Sequence, residues 1–357
     1  MIEYQPQKKE NSPTTFNIAL SFLRIVFMGT PEFAVASLDA LVKAGYNIVG
    51  VITAPDKPAG RGMQLQQSAV KKYAVEHNLT ILQPEKLKNP EFLEELKSLN
   101  ADLQIVVAFR MLPEVVWNMP RLGSVNLHGS LLPQYRGAAP INWAVINGEK
   151  ETGVTTFRLK HEIDTGDILL QESFPIGEND TAGEVHDKMK EIGAQLLVKT
   201  VKGLVDGTVN EQPQSDILHL TSYILHHAPK IFKETCRIDF NKSVTEVHNL
   251  IRGLSPFPGA FIFLNGKTLK IFKSEPQGRD PADSGGLNRT EEAANIVQVP
   301  AMGGAPTVYS DGKTYLKFAC ADGYILVKEL QLEGKKKMLT EDFLRGYRVG
   351  TPPIAGD

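Results

Sequence analysis

The sequence predicts an α/β domain with a mostly parallel, helix-covered sheet, followed by a small antiparallel β-barrel or sandwich. In the first half of the chain, short continuous apolar runs alternate with stretches whose apolar residues recur at helical spacing. This alternation is typical of βαβ units and a parallel sheet. Beyond Pro229, short strand-like runs recur at a spacing of about ten residues, which is typical of small antiparallel folds. Asn-Gly and Asp-Gly turns separate several of these runs.

The first βαβ unit is the best-defined part of the sequence. Residues 23–29, "LRIVFMG", form a continuous apolar run that predicts a fully buried strand. Pro31 opens a helix that ends at Gly45, and "NIVGVIT" predicts the next strand. The turn between the first strand and the helix, "MGTPEF", has a single glycine and lacks the G-x-G-x-x-G fingerprint of dinucleotide sites. We therefore do not expect NAD or FAD.

Further strands and a long helix complete the first half. "LQIVVAF" and "VNLH" predict two more strands of the sheet. Residues 153–176 predict two strands separated by the polar loop "KHEIDTGD", because Asp-Thr-Gly-Asp is strong turn chemistry. Thr181 and Glu184 have the spacing of a capping box, which predicts the start of a long helix that ends near Gly203.

The chain is long enough for two domains, and one stretch has the character of a linker. "VDGTVNEQPQSD" is polar and contains proline and glycine. We predict a tail over residues 1–22, a first domain over 23–205, a linker over 206–228 and a second domain over 229–357. The tail has no apolar core followed by a small-residue cleavage site, so we do not expect a signal peptide.

The composition is that of an ordinary globular protein without a membrane-spanning segment, with 42% apolar and 22% charged residues. Cys236 and Cys320 lie in apolar segments and predict buried free thiols in a reducing cytoplasm. His226 and His227 lack partners at ligand spacing, so we expect no metal. The net charge of −2 does not indicate nucleic-acid binding. From Ala228 onward, however, 18 Lys and Arg against 15 Asp and Glu weakly favour an anionic partner.

The stretch "VNLHGSLLPQYRG" places two polar side chains at the end of a predicted strand. Asn126 and His128 are two residues apart, so their side chains point to the same face. Ligands of open α/β sheets bind outside the carboxyl ends of the strands, where this pair would lie. The structural alternative is that Asn126 caps the following turn while His128 bonds a backbone carbonyl.

Asp164, in "IDTGD", favours the functional interpretation. It lies in the loop between two predicted strands, with Gly166 behind it for a tight turn. A carboxylate beside an imidazole holds the tautomer and stabilises the imidazolium, while a neutral amide can stabilise an oxyanion. Together these groups suit the attack of an amine on an acyl carbon. His161 is the second candidate partner of Asp164. Ser130 lacks the G-x-S-x-G elbow, so we expect direct transfer without an acyl-enzyme.

These residues belong to motifs that resemble the 10-formyltetrahydrofolate-dependent formyltransferases. The similarity is carried by "NLHGSLLPQYRGAAPINWAVINGEKETGVTTFRL" and "DTGDIL", preceded by "RIVFMGTPEFAVASLDAL" and "TAPDKPAGRGMQL". It continues through "RIDFNKSVTEVHNLIRGLSPFPGAF" and "LEGKKKMLTEDFLRG", in the order that the family has them. The match extends over nearly all of residues 24–346 and is most specific for the members that act on methionyl-tRNA.

The resemblance implies a Rossmann-like formyltransferase domain followed by an OB-like, tRNA-binding barrel. It implies formyl transfer from 10-formyltetrahydrofolate, as co-substrate, to the α-amino group of methionine on initiator tRNA, by a monomeric cytoplasmic enzyme without a metal. Asn126, His128 and Asp164 match the catalytic residues of the family. The segment that contacts tetrahydrofolate matches Ser130, Leu131, Leu132 and Pro133.

Two basic regions are candidates for contact with tRNA. Arg61, in the Pro/Gly-rich loop "APDKPAGRGM", matches an arginine that reaches the acceptor end, although a solvated loop is the structural alternative. Lys335, Lys336 and Lys337 form a short basic run, which is either a solvated surface or a phosphate contact on the barrel.

One departure from the family and three rivals stay open at this point. Residues 108–113, "AFRMLP", are one residue shorter than the family's Ala-Tyr-Gly-x-Ile-Leu-Pro and lack its glycine. Because that segment helps to line the folate pocket, Arg110 either replaces its contacts or faces solvent. The rivals are formyltransferases acting on glycinamide ribonucleotide or on an amino sugar nucleotide, and a non-catalytic protein that binds tRNA or folate.

Overall fold

The computed structural model describes residues 23–59, 64–220, 224–278 and 307–347. Two compact units make up the chain. Among the described residues, the first unit contains those up to Arg136, within Gly153–Ser173 and within Asp187–Leu225. The second contains those within Gly137–Thr152, within Phe174–His186 and from His226 onward. The tail over residues 1–22 lies outside the described residues. The division at residues 206–228 stays a prediction.

The strands in chain order are β1 (Arg24–Gly29), β2 (Asn47–Ile52), β3 (Lys57–Ala59), β4 (Gln64–Gln66), β5 (Ile81–Leu82), β6 (Leu103–Val107), β7 (Ser124–His128), β8 (Arg136–Gly137), β9 (Glu151–Arg158), β10 (Ile168–Pro175), β11 (His227–Ala228), β12 (Ala260–Leu264), β13 (Lys267–Gly278), β14 (Val308–Ser310), β15 (Leu316–Ala319), β16 (Gly323–Leu332) and β17 (Met338–Leu339).

The α-helices are α1 (Glu32–Lys43), α2 (Ala69–Glu76), α3 (Pro90–Ser98), α4 (Glu114–Trp117), α5 (Pro140–Ile146), α6 (Ala182–Asp206), α7 (Gln214–Leu220), α8 (Val244–Gly253) and α9 (Thr340–Gly346). A short 3₁₀-helix spans Glu234–Cys236.

The first unit is built on the predicted parallel sheet. Its strand order is β10-β9-β7-β6-β1-β2-β5. The five strands from β7 to β5 are parallel neighbours, and β9 runs antiparallel to β7. In β1, Ile25, Val26, Phe27 and Met28 are fully buried, as expected for a continuous apolar run in the middle of a helix-covered sheet. The mostly parallel α/β class is confirmed.

The order of the strands reverses between β1 and β6. The chain adds β2 and β5 on one side of β1, then crosses over and adds β6 and β7 on the other side. In open α/β sheets, ligands bind where the strand order reverses, outside the carboxyl ends of the strands. Because β7 lies next to β6 and ends at His128, the predicted polar pair is carried to this end of the sheet.

The second unit contains the predicted antiparallel sheet, which forms a half-barrel. Its order is β12-β13-β16-β15-β14, with β17 beside β16, and all neighbours are antiparallel. Helix α8 lies against β13 and β16. Fully or almost fully buried apolar side chains from the helix and the strands form one core, and they include Ile251, Leu269, Phe318, Ile325 and Leu330.

Local signals in the sequence are confirmed at two positions. Asn265 (φ 48°) and Gly266 (φ 75°) join β12 to β13, since the two-residue hairpin turn requires positive φ at both positions. At the start of α6, the Thr181 backbone N–H donates to Glu184 Oε2 (2.8 Å) and the Glu184 N–H donates to Thr181 Oγ1 (3.2 Å). This is the predicted capping box.

The two cysteines are free and buried, as predicted. Burial, aided by the charge of Asp322, raises the pKa of the Cys320 thiol to about 12, which makes this sulfur a poor nucleophile near neutral pH. None of the described helices is both long and apolar enough to cross a membrane. Within the described part of the chain, His, Cys, Asp and Glu side chains form no group of three or more that could hold a metal ion.

The stability of the second unit should decrease in mild acid because of His248 on α8. This side chain is 7% exposed, and its Nδ1 lies 3.0 Å from Ser274 Oγ. Burial, aided by the positive charge of Arg252, lowers the pKa of His248, although the neighbouring backbone of Glu178 acts in the opposite direction. The unfolded chain therefore binds the proton more readily, so the free energy of unfolding falls as the pH drops below about 6.5.

Urea unfolding between pH 5 and 8 tests this expectation. The His248→Gln variant should show a weaker pH dependence than the wild type, by at most about 1.4 kcal/mol per pH unit for one proton. His161→Gln makes the same change at an exposed position and should keep the wild-type dependence. Parallel pH profiles for wild type and His248→Gln would contradict the assignment.

Candidate functional site

The side chains of Asn126 and His128 lie on one face at the carboxyl end of β7. In the sheet, Asn126 is paired with Val106 of β6 and Phe157 of β9, while His128 is opposite Thr155. The Asn126 side chain is partly exposed and makes no hydrogen bond with any described residue. Its amide is therefore available to a ligand, which differs from the turn-capping alternative.

His128 is held by a backbone carbonyl. Its side chain is 8% exposed, and its Nε2 lies 2.9 Å from the Tyr135 carbonyl oxygen. A carbonyl oxygen can only accept a hydrogen bond, so Nε2 carries the proton and donates it. Nδ1 is then the ring nitrogen left to take up or release a proton. The alternative in which His128 bonds a backbone carbonyl is thus correct for one nitrogen only.

Asp164 lies beside the other nitrogen of this imidazole. Its Oδ2 is 3.8 Å from His128 Nδ1, and its side chain is 13% exposed. This distance is too long for a hydrogen bond but close enough for a carboxylate to stabilise an imidazolium in a site shielded from water. His161, the rival partner, is exposed on the same loop.

Two residues that the sequence did not single out also belong to this site. Gln214, at the start of α7, is 2% exposed and donates from Nε2 to the carbonyl oxygens of Asp164 (2.9 Å) and Gly166 (2.8 Å). Arg136 donates from Nε to Gln214 Oε1 at 3.0 Å. Gln214 falls in the polar stretch predicted as a linker. No local pattern marks it, because its partners lie 50 and 48 residues earlier in the chain.

The segment of Ser130, Leu131, Leu132 and Pro133 is fixed through its backbone. The Ser130 hydroxyl donates to the Gln134 carbonyl oxygen (2.6 Å), so this side chain is engaged within the turn. Gln171 Nε2 donates to the Leu132 carbonyl oxygen (2.9 Å), and the peptide bond between Leu132 and Pro133 is cis. Three of the four side chains are buried, while Leu131 is half-buried. These hydrogen bonds hold the segment, which follows β7 after Gly129.

Arg61 lies outside the described residues, but the base of its loop is ordered by polar contacts. Strands β3 and β4, on either side of residues 60–63, pair as an antiparallel hairpin that the sequence did not predict. At its base, Asp56 accepts from Lys71 Nζ (2.5 Å) and from Gln83 Nε2 (2.9 Å). The Lys71 hydrogen bond is the main reason that the pKa of Asp56 lies below its usual range.

The shortened segment 108–113 is tied to the loop that follows β5. Arg110 donates to the carbonyl oxygens of Glu85 (2.8 Å) and Pro84, and its guanidinium lies 5.6 Å from the centre of the Phe109 ring. Ala108 has a φ of 46°, a conformation that L-residues other than Asn and Asp rarely adopt. Arg110 is exposed at the surface and at the same time anchors this segment.

The three lysines after β16 are exposed but not equivalent. Lys337 pairs with Glu329 (Nζ to Oε2, 2.6 Å) and lies 5.4 Å from the centre of the Phe272 ring. The side chains of Lys335 and Lys336 make no hydrogen bond or ion pair with described residues. Two of the three charges are therefore free to meet an anionic partner.

Comparisons with known proteins agree with this architecture. The family described as formyl transferase matches residues 23–201, and the formyl transferase C-terminal domain matches residues 230–348. Proteins named methionyl-tRNA formyltransferase from Bacteroides fragilis and Bacteroides thetaiotaomicron are 52% and 54% identical to the chain. Each alignment covers 92% of this chain and 96% of the relative.

A solved structure shows the same fold at a lower level of similarity. The N-formyltransferase from Helicobacter canadensis, in complex with folinic acid and dTDP-3-aminofucose, superimposes with a TM-score of 0.60. It is 22% identical and the match covers 89% of this chain and all of that one. With two family domains matched in order and relatives above 50% identity over most of its length, the chain belongs to the formyl transferase family.

Proposed function

We propose that this protein transfers the formyl group of 10-formyltetrahydrofolate to the α-amino group of methionyl-initiator tRNA. The observation that carries the proposal is the amide of Asn126 without a partner in the described structure, next to the His128–Asp164 pair at the end of β7. The names of the most similar relatives support methionyl-tRNA as the acceptor. The folate supplies an activated formyl group bound to its N10 nitrogen.

Asn126 would stabilise the charge that develops on the formyl oxygen. When an amine attacks an acyl carbon, the carbonyl oxygen becomes negative, and a preorganised N–H donor is worth more there than in water. A neutral amide suits this role because it donates without titrating near neutral pH. Because the described residues give this amide no hydrogen bond, none of their contacts has to be broken before the amide can donate.

His128 and Asp164 would manage the proton. As the new nitrogen–carbon bond forms, the attacking amine must lose one proton, and as the bond from carbon to folate N10 breaks, that nitrogen must gain one. His128 Nδ1 can accept the first proton and release the second, while Asp164 stabilises the imidazolium in between. The products, a formylated amine and tetrahydrofolate, balance without any other reactant.

The substrates would meet this site through the segments on its rim. The backbone of Ser130, Leu131, Leu132 and Pro133 is the proposed contact for tetrahydrofolate, and segment 108–113, anchored by Arg110, is the second. Arg61, beyond the ordered base of the β3–β4 hairpin, is the proposed contact for the acceptor end of the tRNA. Arg61→Ala should therefore raise KM for tRNA and leave KM for folate unchanged.

Lys335 and Lys336 are proposed to contact tRNA phosphates, while Lys337 contributes less because Glu329 already pairs with it. We expect the double variant Lys335→Ala/Lys336→Ala to bind tRNA more weakly and to lose about two units from the log–log salt slope, roughly one per phosphate contact. Lys337→Ala serves as the neighbouring control, with a smaller change in slope. Equal salt slopes for wild type and double variant would contradict this contact.

The proposed function is tested by the transfer of labelled formyl from 10-formyltetrahydrofolate to three acceptors. These are methionyl-initiator tRNA, methionyl-elongator tRNA and a free amino sugar nucleotide. Label confined to the initiator tRNA is the expected result. Label on the sugar nucleotide would keep the chemistry but overturn the acceptor, and folate binding without any transfer would overturn the enzymatic activity.

A further inference from the structure

The chain after α6 returns to the loop that carries Asp164. Ile168, at the start of β10, and Gln212 form an antiparallel bridge with two backbone hydrogen bonds, of 2.8 and 2.9 Å. Two residues later, Gln214 turns its side chain inward and is 2% exposed. A segment distant in sequence is thus fixed against the site loop, within the first unit.

Gln214 uses both ends of its amide. The Nε2 group donates to the carbonyl oxygens of Asp164 and Gly166, at 2.9 and 2.8 Å. The Oε1 atom accepts from Arg136, at 3.0 Å from Nε and 2.5 Å from Nη2. The Gln214 amide thus donates two hydrogen bonds and accepts two. A buried amide with all of these hydrogen bonds is held in one orientation, and it holds its partners in turn.

Asp164 has a left-handed backbone conformation, with a φ of 55°. Asp is one of the few residues other than Gly that adopt this conformation, because its short side chain can hydrogen-bond locally. The carbonyl oxygen that Gln214 contacts belongs to this same residue, so the hydrogen bond fixes the peptide plane next to the left-handed Cα. The direction of the Asp164 carboxylate towards His128 depends on that plane.

Arg136 connects this amide to the charges of the site. Burial lowers the pKa of Arg136, whereas the negative charges of Asp164 and Glu162 act in the opposite direction. The guanidinium thus lies within electrostatic range of the Asp164 carboxylate while it is bonded to Gln214. Gln214 therefore connects the loop that carries Asp164 to the positively charged Arg136.

We propose that Gln214 is a positioning residue for formyl transfer, which holds Asp164 in its left-handed conformation and so aims the carboxylate at His128. This inference rests on the proposed function. Gln214 does not reach the reacting atoms in this role; its effect on the reaction passes through Asp164. A displaced Asp164 would no longer stabilise the imidazolium as the proton moves.

The Gln214→Glu variant separates the two ends of the amide. A glutamate has the same size and still accepts from Arg136, but it cannot donate to the carbonyls of Asp164 and Gly166. We expect kcat to fall by about 10- to 100-fold, because a small displacement of a group at the reacting centre can lower the rate by that much. The KM values for folate and tRNA should stay within about twofold of wild type. Gln212→Glu makes the same change on an exposed side chain two residues earlier and should leave kcat and KM unchanged.

A double-mutant cycle with Asp164→Asn distinguishes positioning from general loss of structure. If Gln214 acts through Asp164, the Gln214→Glu change should have little further effect on kcat in the Asp164→Asn background. Additive losses of kcat in the double variant, or an unchanged kcat in Gln214→Glu, would overturn the inference. Formyl transfer by the wild-type enzyme would still support the proposed function. An inactive wild-type enzyme would instead overturn the proposed function, which keeps the two failures distinct.

Thermal unfolding of each variant identifies any that fails to fold. If Gln214→Glu fails to fold, Gln214→Met, which keeps the side-chain volume, replaces it in the cycle.

Discussion

Replacing Asn126 by alanine is expected to lower kcat for formyl transfer by about 10²- to 10³-fold, the loss seen when one preorganised oxyanion donor is removed. The side chain is partly exposed at the end of β7 and makes no hydrogen bond with the described residues, so its loss leaves no buried partner unsatisfied. We therefore expect the free energy of unfolding to change little. The effect should fall on the reaction and not on the fold.

Single-turnover kinetics with saturating enzyme are the appropriate measurement, because they separate the chemical step from substrate binding and product release. The dissociation constants for folate and tRNA should stay within about threefold of wild type, since the amide acts mainly where charge develops. A variant that binds tRNA weakly but transfers formyl normally once bound would contradict the assigned role. Asn118→Ala, an exposed position at the end of α4, is a matched control for the same substitution in the first unit.

Strands and turns that depend on local patterns were predicted well from the sequence. The apolar run at residues 23–29 contains β1, because a continuous apolar run is typical of a buried strand. Asn265 and Gly266 form the predicted hairpin turn, because these residue types adopt positive φ readily. The β3–β4 hairpin was missed. Its strands have three residues each, and the polar anchor at Asp56 depends on Lys71 and Gln83, which follow later in the chain.

The candidate site shows the same division. The spacing of Asn126 and His128 predicted a shared face because alternation along a strand is a local property. The nitrogen of His128 that bonds Tyr135 could not be predicted, since it depends on how the chain turns after Ser130. Gln214 could not be predicted either: a glutamine in a polar stretch has no periodicity to mark it as buried, and only the bridge between Ile168 and Gln212 brings it to Asp164.

Gly166→Ala should be among the Gly→Ala substitutions that most destabilise the first unit. The sequence predicted that Gly166 allows a tight turn, but its φ is not in the left-handed region, and the structure gives a different reason for glycine. A Cβ placed there would lie 1.6 Å from the Arg158 carbonyl oxygen and 2.7 Å from its carbon. Both are backbone atoms of β9, so no side chain can rotate away to relieve the clash.

To relieve this clash, the loop around Gly166 would have to move away from Arg158 at the end of β9, and the nearby Asp164 would move with it. Overpacking of a well-packed region costs about 1–3 kcal/mol, and contact with backbone leaves fewer ways to relax, so we expect a loss at the upper end of that range. Because Gln214 also donates to the Gly166 carbonyl oxygen, a shift of Gly166 should displace Asp164 as well. Stability and kcat should therefore fall together, unlike in Asn126→Ala.

Urea unfolding and single-turnover kinetics on the same protein samples would measure both losses. Gly346→Ala, at the last residue of α9, is the matched control, because a Cβ there meets nothing within 4 Å and the backbone is not left-handed. We expect that variant to be as stable as the wild type or more stable by up to about 1 kcal/mol, because Ala is a better helix former than Gly. A Gly166→Ala protein with a wild-type urea midpoint would mean that β9 and the loop can move apart at little cost. In that case the position of Asp164 would not be fixed by the close approach of Gly166 to Arg158, and the hydrogen bonds of Gln214 would have to hold it alone.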